Sequence, residues 1–513
     1  MSENDTEFDA IVVGGGPGGA TLSAFVAMQG HRVLLIERER FPRYQIGESL
    51  LPSTVHGICR LLGVSEELER ASFMPKRGGT FRWGRSPEPW TFLFAISPAF
   101  AGSASQAYQV ERMKFDQILL ENAKSKGVQV QEECSVVDIT EAGDRVSGVI
   151  YDDADGTRRE ARARFVVDAS GNRSRIHTRV GGNRQYSEFF RNVAVFGYFE
   201  GGKRLPTPNS GNILCAAFDD GWFWYIPLTS ELTSVGAVVR QDSVDKVQGG
   251  PDDALTRLIG NCPLIAEFLA DAHRVTSGPY GEVRVRKDYS YSKSAFWQPG
   301  MILIGDAACF IDPVFSSGVH LATYSALLAA RSINTVLAGE IDEPTCFAEF
   351  EARYRREYSV FHDFLVAFYD MQQETDSYFW NAKKVTGSSA KNLESFVELV
   401  GGGASGERGL LHAESYVERH GAAFREFASQ VDRQAGSDSH IELFESELVQ
   451  DVLETGTQLH ILGTFGEEED AQVREGGLVS SPDGMRWRRA KTDPGPAGEG
   501  RDGRDAQGAG RAT

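Results

Sequence analysis

Three glycines mark the first chemistry. Gly14-x-Gly16-x-x-Gly19 follows the apolar run Phe8 to Val13 and precedes a segment whose apolar content is Ala20, Leu22, Ala24, Phe25 and Met28. A glycine turn between strand and helix lets the backbone approach a pyrophosphate, and the helix start offers free N–H groups and a positive dipole end. Glu37 closes the next apolar run, Val33 to Ile36, where an acidic side chain can accept ribose hydroxyls. A glycine-rich turn alone could be empty. With strand, helix and acid in order it predicts a bound dinucleotide against Gly14, Gly16, Pro17, Gly18, Gly19, Glu37 and Arg38. The second chemistry is an amine, Lys76, in Met74-Pro-Lys-Arg-Gly-Gly-Thr-Phe-Arg-Trp83. Most lysines are solvated, but a buried one loses basicity and gains nucleophilicity. The third is an anion site. Asp312-Pro-Val-Phe-Ser-Ser-Gly-Val319 runs into a long apolar segment, and a helix N-terminus presents successive N–H groups. A plain cap by Ser316 or Ser317 fits the same residues. Trp222 and Trp224, two apart, would point the same way on a strand, as paired core aromatics also would.

The elements that must position these groups follow from periodicity. Residues 8–16 read as a strand ending in glycines, 17–30 as a helix and Val33–Ile36 as a second strand, a β-α-β unit of a parallel sheet. Val128 to Ile150 reads as meandering strands around the turn Gly143-Asp144. Arg164 to Val167 is a strand running into Asp168-Ala-Ser-Gly171, and Met301 to Ile304 another before Gly305-Asp306. Residues 190–290, rich in β-branched and aromatic side chains, fit an antiparallel sheet. Helices are expected over Gly318–Ala338 and about Pro344–Met371. The fold class is therefore α/β: a Rossmann-like dinucleotide domain interleaved with an antiparallel substrate-side sheet, then a helical C-terminal region.

Trp222, Trp224, Ile226 and Pro227 form the pattern tryptophan-x-tryptophan-x-isoleucine-proline. On it the chain resembles the flavin-dependent halogenases from about residue 8 to 385, most of all the branch that acts on carrier-tethered aromatic substrates. The resemblance implies FAD. Asp168-Ala-Ser-Gly171 and Ile304-Gly-Asp306-Ala-Ala308 are similar to the second and third FAD contacts of hydroxylase-like flavoproteins, with Asp306 holding the ribityl chain rather than serving as an ordinary turn aspartate. Arg43 in Phe41-Pro-Arg43, then Gly47, Glu48, Ser49, Arg112, Pro313, Gly318 and Val319 match family positions near the cofactor. Ser317 and Gly318 match the halide site, Trp222 and Trp224 the partition between flavin and substrate, and Lys76 the catalytic lysine. The implied reaction uses FAD reduced by a separate flavin reductase, dioxygen and chloride. A flavin hydroperoxide yields hypochlorous acid, which Lys76 holds or carries as a chloramine for electrophilic aromatic substitution. One departure stands out: the tryptophan-halogenase branch has a glutamate three residues before the helix-opening glycine, and this chain has Phe315. Without that acid an activated ring is expected, a phenol or tyrosyl group on an acyl or peptidyl carrier protein, in natural-product biosynthesis. The rivals are an aromatic hydroxylase or geranylgeranyl-reductase-like enzyme of the same fold, and a non-catalytic flavoprotein that docks a carrier.

Composition bounds the rest. The 513 residues suffice for two or three domains. The expected organisation is a core over 1–385, with FAD-binding segments at about 8–60, 105–180 and 295–340 and a substrate-side sheet at about 61–104 and 185–290. A helical region over 386–465 and a disordered tail over 466–513, acidic then glycine-rich, follow it. Asp493 to Thr513 contains no Val, Ile, Leu, Met or aromatic residue, so nothing there offsets ordering entropy. A net charge of -19 disfavours nucleic acid and anionic membranes. A carrier protein, usually acidic itself, would need a local basic or apolar patch. The six cysteines form no CxxC pair, which argues for reduced thiols and no metal. No apolar run is long enough for a transmembrane segment and no signal peptide is evident, so a cytoplasmic protein is expected.

Overall fold

The computed structural model describes residues 7–83, 89–97, 100, 105–370, 396–397, 399–403 and 477–489. The β-α-β unit forms as its periodicity requires: strand β1 (Phe8–Val13), helix α1 (Pro17–Met28) and strand β2 (Val33–Ile36). β1 lies between β2 and the end of the long strand Arg158–Asp168, parallel to both, with Val13 opposite Ile36 and Asp168. Strands Gln129–Gln131 and Met301–Leu303 extend the sheet outward, again in parallel pairs. The C-terminal ends of these strands carry Gly14, Glu37, Asp168 and Ile304. A parallel sheet opens a crevice at that edge, and the glycine turn stands in it.

A second sheet carries the aromatic pair. The strand Gly221–Pro227 pairs antiparallel with Ile213–Phe218 on one side and Leu232–Val239 on the other. Arg184–Glu200 and Arg284–Lys293 continue the sheet beyond Leu232–Val239, and Gly78–Arg82 with Trp90–Leu93 continue it beyond Ile213–Phe218. The register places Trp224 opposite Gly236, where a Cβ would come 2.3 Å from the Trp224 ring. Only glycine leaves room for the indole there. The short strand Met74–Lys76 joins neither large sheet; it pairs antiparallel with Ala107–Gln109.

Helix α2 (Arg112–Ser125) packs on α1, and the long helix α3 (Ser317–Leu337) packs against both α1 and α4 (Glu343–Asp370). α3 is buried along nearly its whole length, which explains its density of Ala and Leu. The expectation of a disordered tail over 466–513 is corrected at residues 477–489. Leu478–Ser480 and Trp487–Arg489 form a hairpin on α3 and α4. Trp487 is buried, donates from Nε1 to Ser332 Oγ (2.8 Å), and lies beneath the guanidinium groups of Arg331 and Arg353. Nothing upstream of the hairpin suggested it, because its partners lie about 150 residues earlier in the chain (|i−j| of 152 and 155 for two of its bonds). The helical region expected over 386–465 lies outside the described residues apart from 396–397 and 399–403, and so does the glycine-rich stretch beyond 489.

Candidate active site

The two sheets, α1 and the start of α3 enclose a cavity of about 590 Å³. Gly14, Gly16, Pro17, Gly18, Glu37, Arg38, Arg43, Gly47, Glu48, Ser49, Arg112, Trp222, Trp224, Asp306, Pro313, Gly318 and Val319 all line it. Residues spread over three hundred positions of sequence are thus brought to one wall. Gly14 adopts φ +105°, and a Cβ there would meet the Ala169 carbonyl oxygen at 2.6 Å. Gly19 does not face the cavity; it lets α1 pack on the turn, where its Cβ would meet the Gly14 oxygen at 1.9 Å. Glu37 accepts from the Gly15 N–H (2.6 Å) and the Glu39 N–H (2.9 Å), which fixes a buried carboxylate with lone pairs to spare. Arg38 is exposed at the rim and pairs with Glu39 (3.1 Å).

Behind the loop at Gly47, Arg112 is buried and fully engaged. It donates to both oxygens of Asp116 (2.7 and 2.9 Å) and to the carbonyls of Ile46 and Gly47. Arg43 shares Asp116 (3.0 Å) and reaches toward Gly16, so one carboxylate holds one cation at the glycine turn and the other at the Gly47 loop. Asp306 lies across the cavity, and burial pushes its carboxyl up to about 6 against the pull of Arg112 and Arg184. Glycine backbone at a helix start, a fixed acceptor at Glu37 and cations at Arg43 and Arg112 suit a ribose-pyrophosphate-bearing cofactor.

The start of α3 differs from a plain cap. Ser316 is left-handed (φ 62°) and makes no side-chain capping bond, while Ser317 Oγ is buried without a partner. Asp312 instead caps the preceding turn through Val314 N (3.1 Å) and holds Asn192 and Tyr369. The first-turn N–H groups of α3 are therefore free of any side-chain cap, and Gly318 opens on the cavity with nothing within 4 Å of a Cβ position. Ser317 is turned away from the cavity wall, so only its backbone could serve an anion there.

Lys76 is buried and lies off the cavity. Its ammonium donates to the Leu50 carbonyl (3.0 Å), directly behind cavity-lining Ser49, and sits 5.5 Å over the Phe94 ring. Burial lowers its pKa to about 7, with only a small opposing influence from Cys215. Phe94 belongs to an aromatic cluster with Phe92, Phe81, Phe315, Phe368 and Phe396. Trp222 borders the cavity on one hand and reaches that cluster through Trp83 (6.3 Å), whose ring lies tilted against Phe368. Trp222 and Trp224 stand 6.1 Å apart on the same face, as their spacing predicted. Sequence reasoning missed Tyr44, Arg286 and Ser234, because an isolated tyrosine, arginine or serine on a strand carries no pattern.

This fold and site define a class, and the comparisons agree on it. Residues 9–102 and 97–430 match the tryptophan halogenase family, and the chain belongs to it. It is similar to the tryptophan 2-halogenase of Chondromyces crocatus, 33% identical over 378 residues that cover 73% of this chain and 70% of that protein. Among solved structures it is similar to the myxobacterial chondrochloren halogenase, described as a new variant of FAD-dependent halogenases. That likeness has 51% identity and a TM-score of 0.72 over 94% of this chain and 99% of the other. A flavin-dependent brominase is similar at 27% identity and a TM-score of 0.68, over 83% of this chain and 99% of that one. The protein is an FAD-dependent halogenase, an oxidoreductase that uses FAD, dioxygen and chloride, and enzymes of this kind take their flavin from a separate reductase. No helix among the described residues is long and apolar enough to cross a membrane.

Proposed function

We propose that this halogenase chlorinates an electron-rich ring, a phenol carried by an acyl or peptidyl carrier protein, with Lys76 as its catalytic residue. The observation that supports it best is the buried amine standing off the cavity, beside an aromatic cluster that Trp222 borders from the other side. In this reading FAD would be held by the Gly14–Gly18 turn, Glu37, Arg43, Arg112 and Asp306, and would supply two electrons that, with the two given up by chloride, take dioxygen to water. The α3 backbone at Ser317 and Gly318 holds chloride. Trp222 and Trp224 keep the organic substrate off the flavin, so that oxygen is not transferred to it directly. With a pKa of about 7, Lys76 holds a neutral amine beside the ammonium form at neutral pH. Either form can hydrogen-bond hypochlorous acid, the ammonium to its oxygen and the amine to its O–H, and so hold its chlorine toward an arene.

The phenol follows from Phe315. Its ring packs on Phe364, Phe368 and Phe396, so an apolar side chain occupies the position where the tryptophan-halogenase branch has an acid. A phenol activates its own ring and needs less help to form the carbon–chlorine bond and lose the ring proton. The carrier, and a place in natural-product biosynthesis, rest on the likeness to the tethered-substrate branch. Six buried free thiols suit a cytoplasmic, reducing location. The test is turnover with reduced FAD, dioxygen and chloride, read by product mass. Lys76→Ala should retain FAD absorbance and lose the chlorine isotope doublet by at least about a hundredfold. Full chlorination by that variant refutes the role. Carrier-bound phenol should outpace the free acid, and the reverse refutes the tether.

A further inference from the structure

Halogenation has a proton requirement that none of the groups above meets. Reduced FAD, dioxygen, chloride and an aromatic C–H become oxidised FAD, a carbon–chlorine bond and two waters. Atoms and charge balance only if one further proton enters with each chloride. Proton and anion must both reach the buried groups of the cavity.

Glu48 stands on that cavity wall and is 1% exposed. Its Oε1 accepts from the Tyr198 hydroxyl (2.7 Å), and Tyr198 in turn bonds the Tyr44 hydroxyl (2.8 Å). Since Tyr198 donates to Glu48, Tyr44 donates to Tyr198. The chain therefore has one direction, from half-buried Tyr44, which also lines the cavity, to Glu48. Oε2 of Glu48 is buried and makes no hydrogen bond at ordinary distance, although the Ser234 hydroxyl lies near enough to act on the carboxyl. A carboxyl with one oxygen accepting from a wire and the other loosely held at a cavity is arranged to pass a proton on.

From this geometry we infer that Glu48 is the proton donor to the halogenating site, recharged through Tyr198 and Tyr44. The inference rests on the reading of the cavity as the FAD site. Glu48 gives up the proton on Oε2; Tyr198 passes its hydroxyl proton to Oε1 and takes one from Tyr44, and water at half-buried Tyr44 replaces that one, so no tyrosinate is left; rotation of the carboxyl and the two hydroxyls restores the starting arrangement. The surroundings keep a substantial fraction of the carboxyl protonated at neutral pH. Burial raises its pKa to about 7, with Tyr198, Ser234 and Arg112 pulling down and Glu111 pushing up. The other groups at the wire are Tyr280, packed on Tyr198 and Tyr44 and donating to Glu111, and Arg284, 3.8 Å over the Tyr44 ring. Both phenols are held well away from ionisation, since burial and Glu48 raise their pKa values, so they relay protons without storing charge.

Two variants test it, Glu48→Gln and the volume-conserving Tyr198→Phe. Infrared titration of the FAD-free wild type should show a carboxylic acid carbonyl stretch that vanishes with a midpoint near 7 and is missing from Glu48→Gln. In Tyr198→Phe that band should persist, shifted by the lost hydrogen bond. At saturating FAD, kcat for halide oxidation should fall by at least about tenfold in both variants. A wild-type pH profile in Glu48→Gln, or a band that survives the substitution, overturns the inference. Failure of the wild type to bind FAD would overturn instead the reading of the cavity.

Discussion

If Lys76 is the catalytic amine proposed above, it couples catalysis to stability. Its folded-state pKa of about 7 lies below the ordinary 10.5, so between those values the unfolded chain holds a proton that the native chain does not. Stability therefore rises with pH through that window, and below 7 the native state carries the whole cost of an ammonium in an apolar site, on the order of 5 kcal/mol. Lys76→Met removes the charge and keeps the volume. Calorimetry should find the variant more stable than wild type at pH 6, with the gap closing toward pH 10; a constant gap would show the amine to be solvated. Lys76 and the glycine turn were legible in the sequence because their residue types are the chemistry. Tyr198 and Ser234 were not, since each matters only through the side chain placed beside it, Glu48 in one case and Trp224 in the other.

At the scale of elements, the strand Gly221–Pro227 and the hairpin at 478–489 show two degrees of legibility. The strand's alternation announced which way Trp222 and Trp224 point, but not that Gly236 across the ladder makes room for the second ring. The hairpin left no local signal. Its backbone is tied down by α3 and α4: Arg353 donates to the Leu478 carbonyl (2.8 Å), Asn334 to that of Met485 (3.1 Å), and Leu478 N–H reaches Glu349. It therefore clasps the outer side of the helix whose first turn faces the cavity. Trp487→Ala should cost about 3–5 kcal/mol in urea denaturation, the range for emptying a buried aromatic site. A loss under about 1 kcal/mol would make the hairpin a loosely attached tail.

For the whole molecule, charge governs encounter. A net charge of -19 repels an acidic carrier at long range whatever the docking patch offers at contact. Salt screens that repulsion over about 10 Å at 0.1 M and less at higher concentration. The association rate with a carrier should therefore rise between about 50 and 500 mM salt when followed by stopped-flow fluorescence. A rate that falls would locate a dominant basic patch on this enzyme.

Sequence alone determined what each chemical group could be, because a glycine turn, a lone lysine segment and a tryptophan pair restrict their neighbours through covalent geometry and short-range periodicity. It also determined the parallel β-α-β unit, whose contacts lie within thirty residues. Tertiary structure decided where water is excluded. Burial lowers Lys76 and raises Glu48, lets one aspartate, Asp116, hold two arginines, and orders residues 477–489 on helices far upstream. Desolvation and long-range hydrogen bonding depend on what surrounds a side chain in space, and no run of neighbouring residues encodes that.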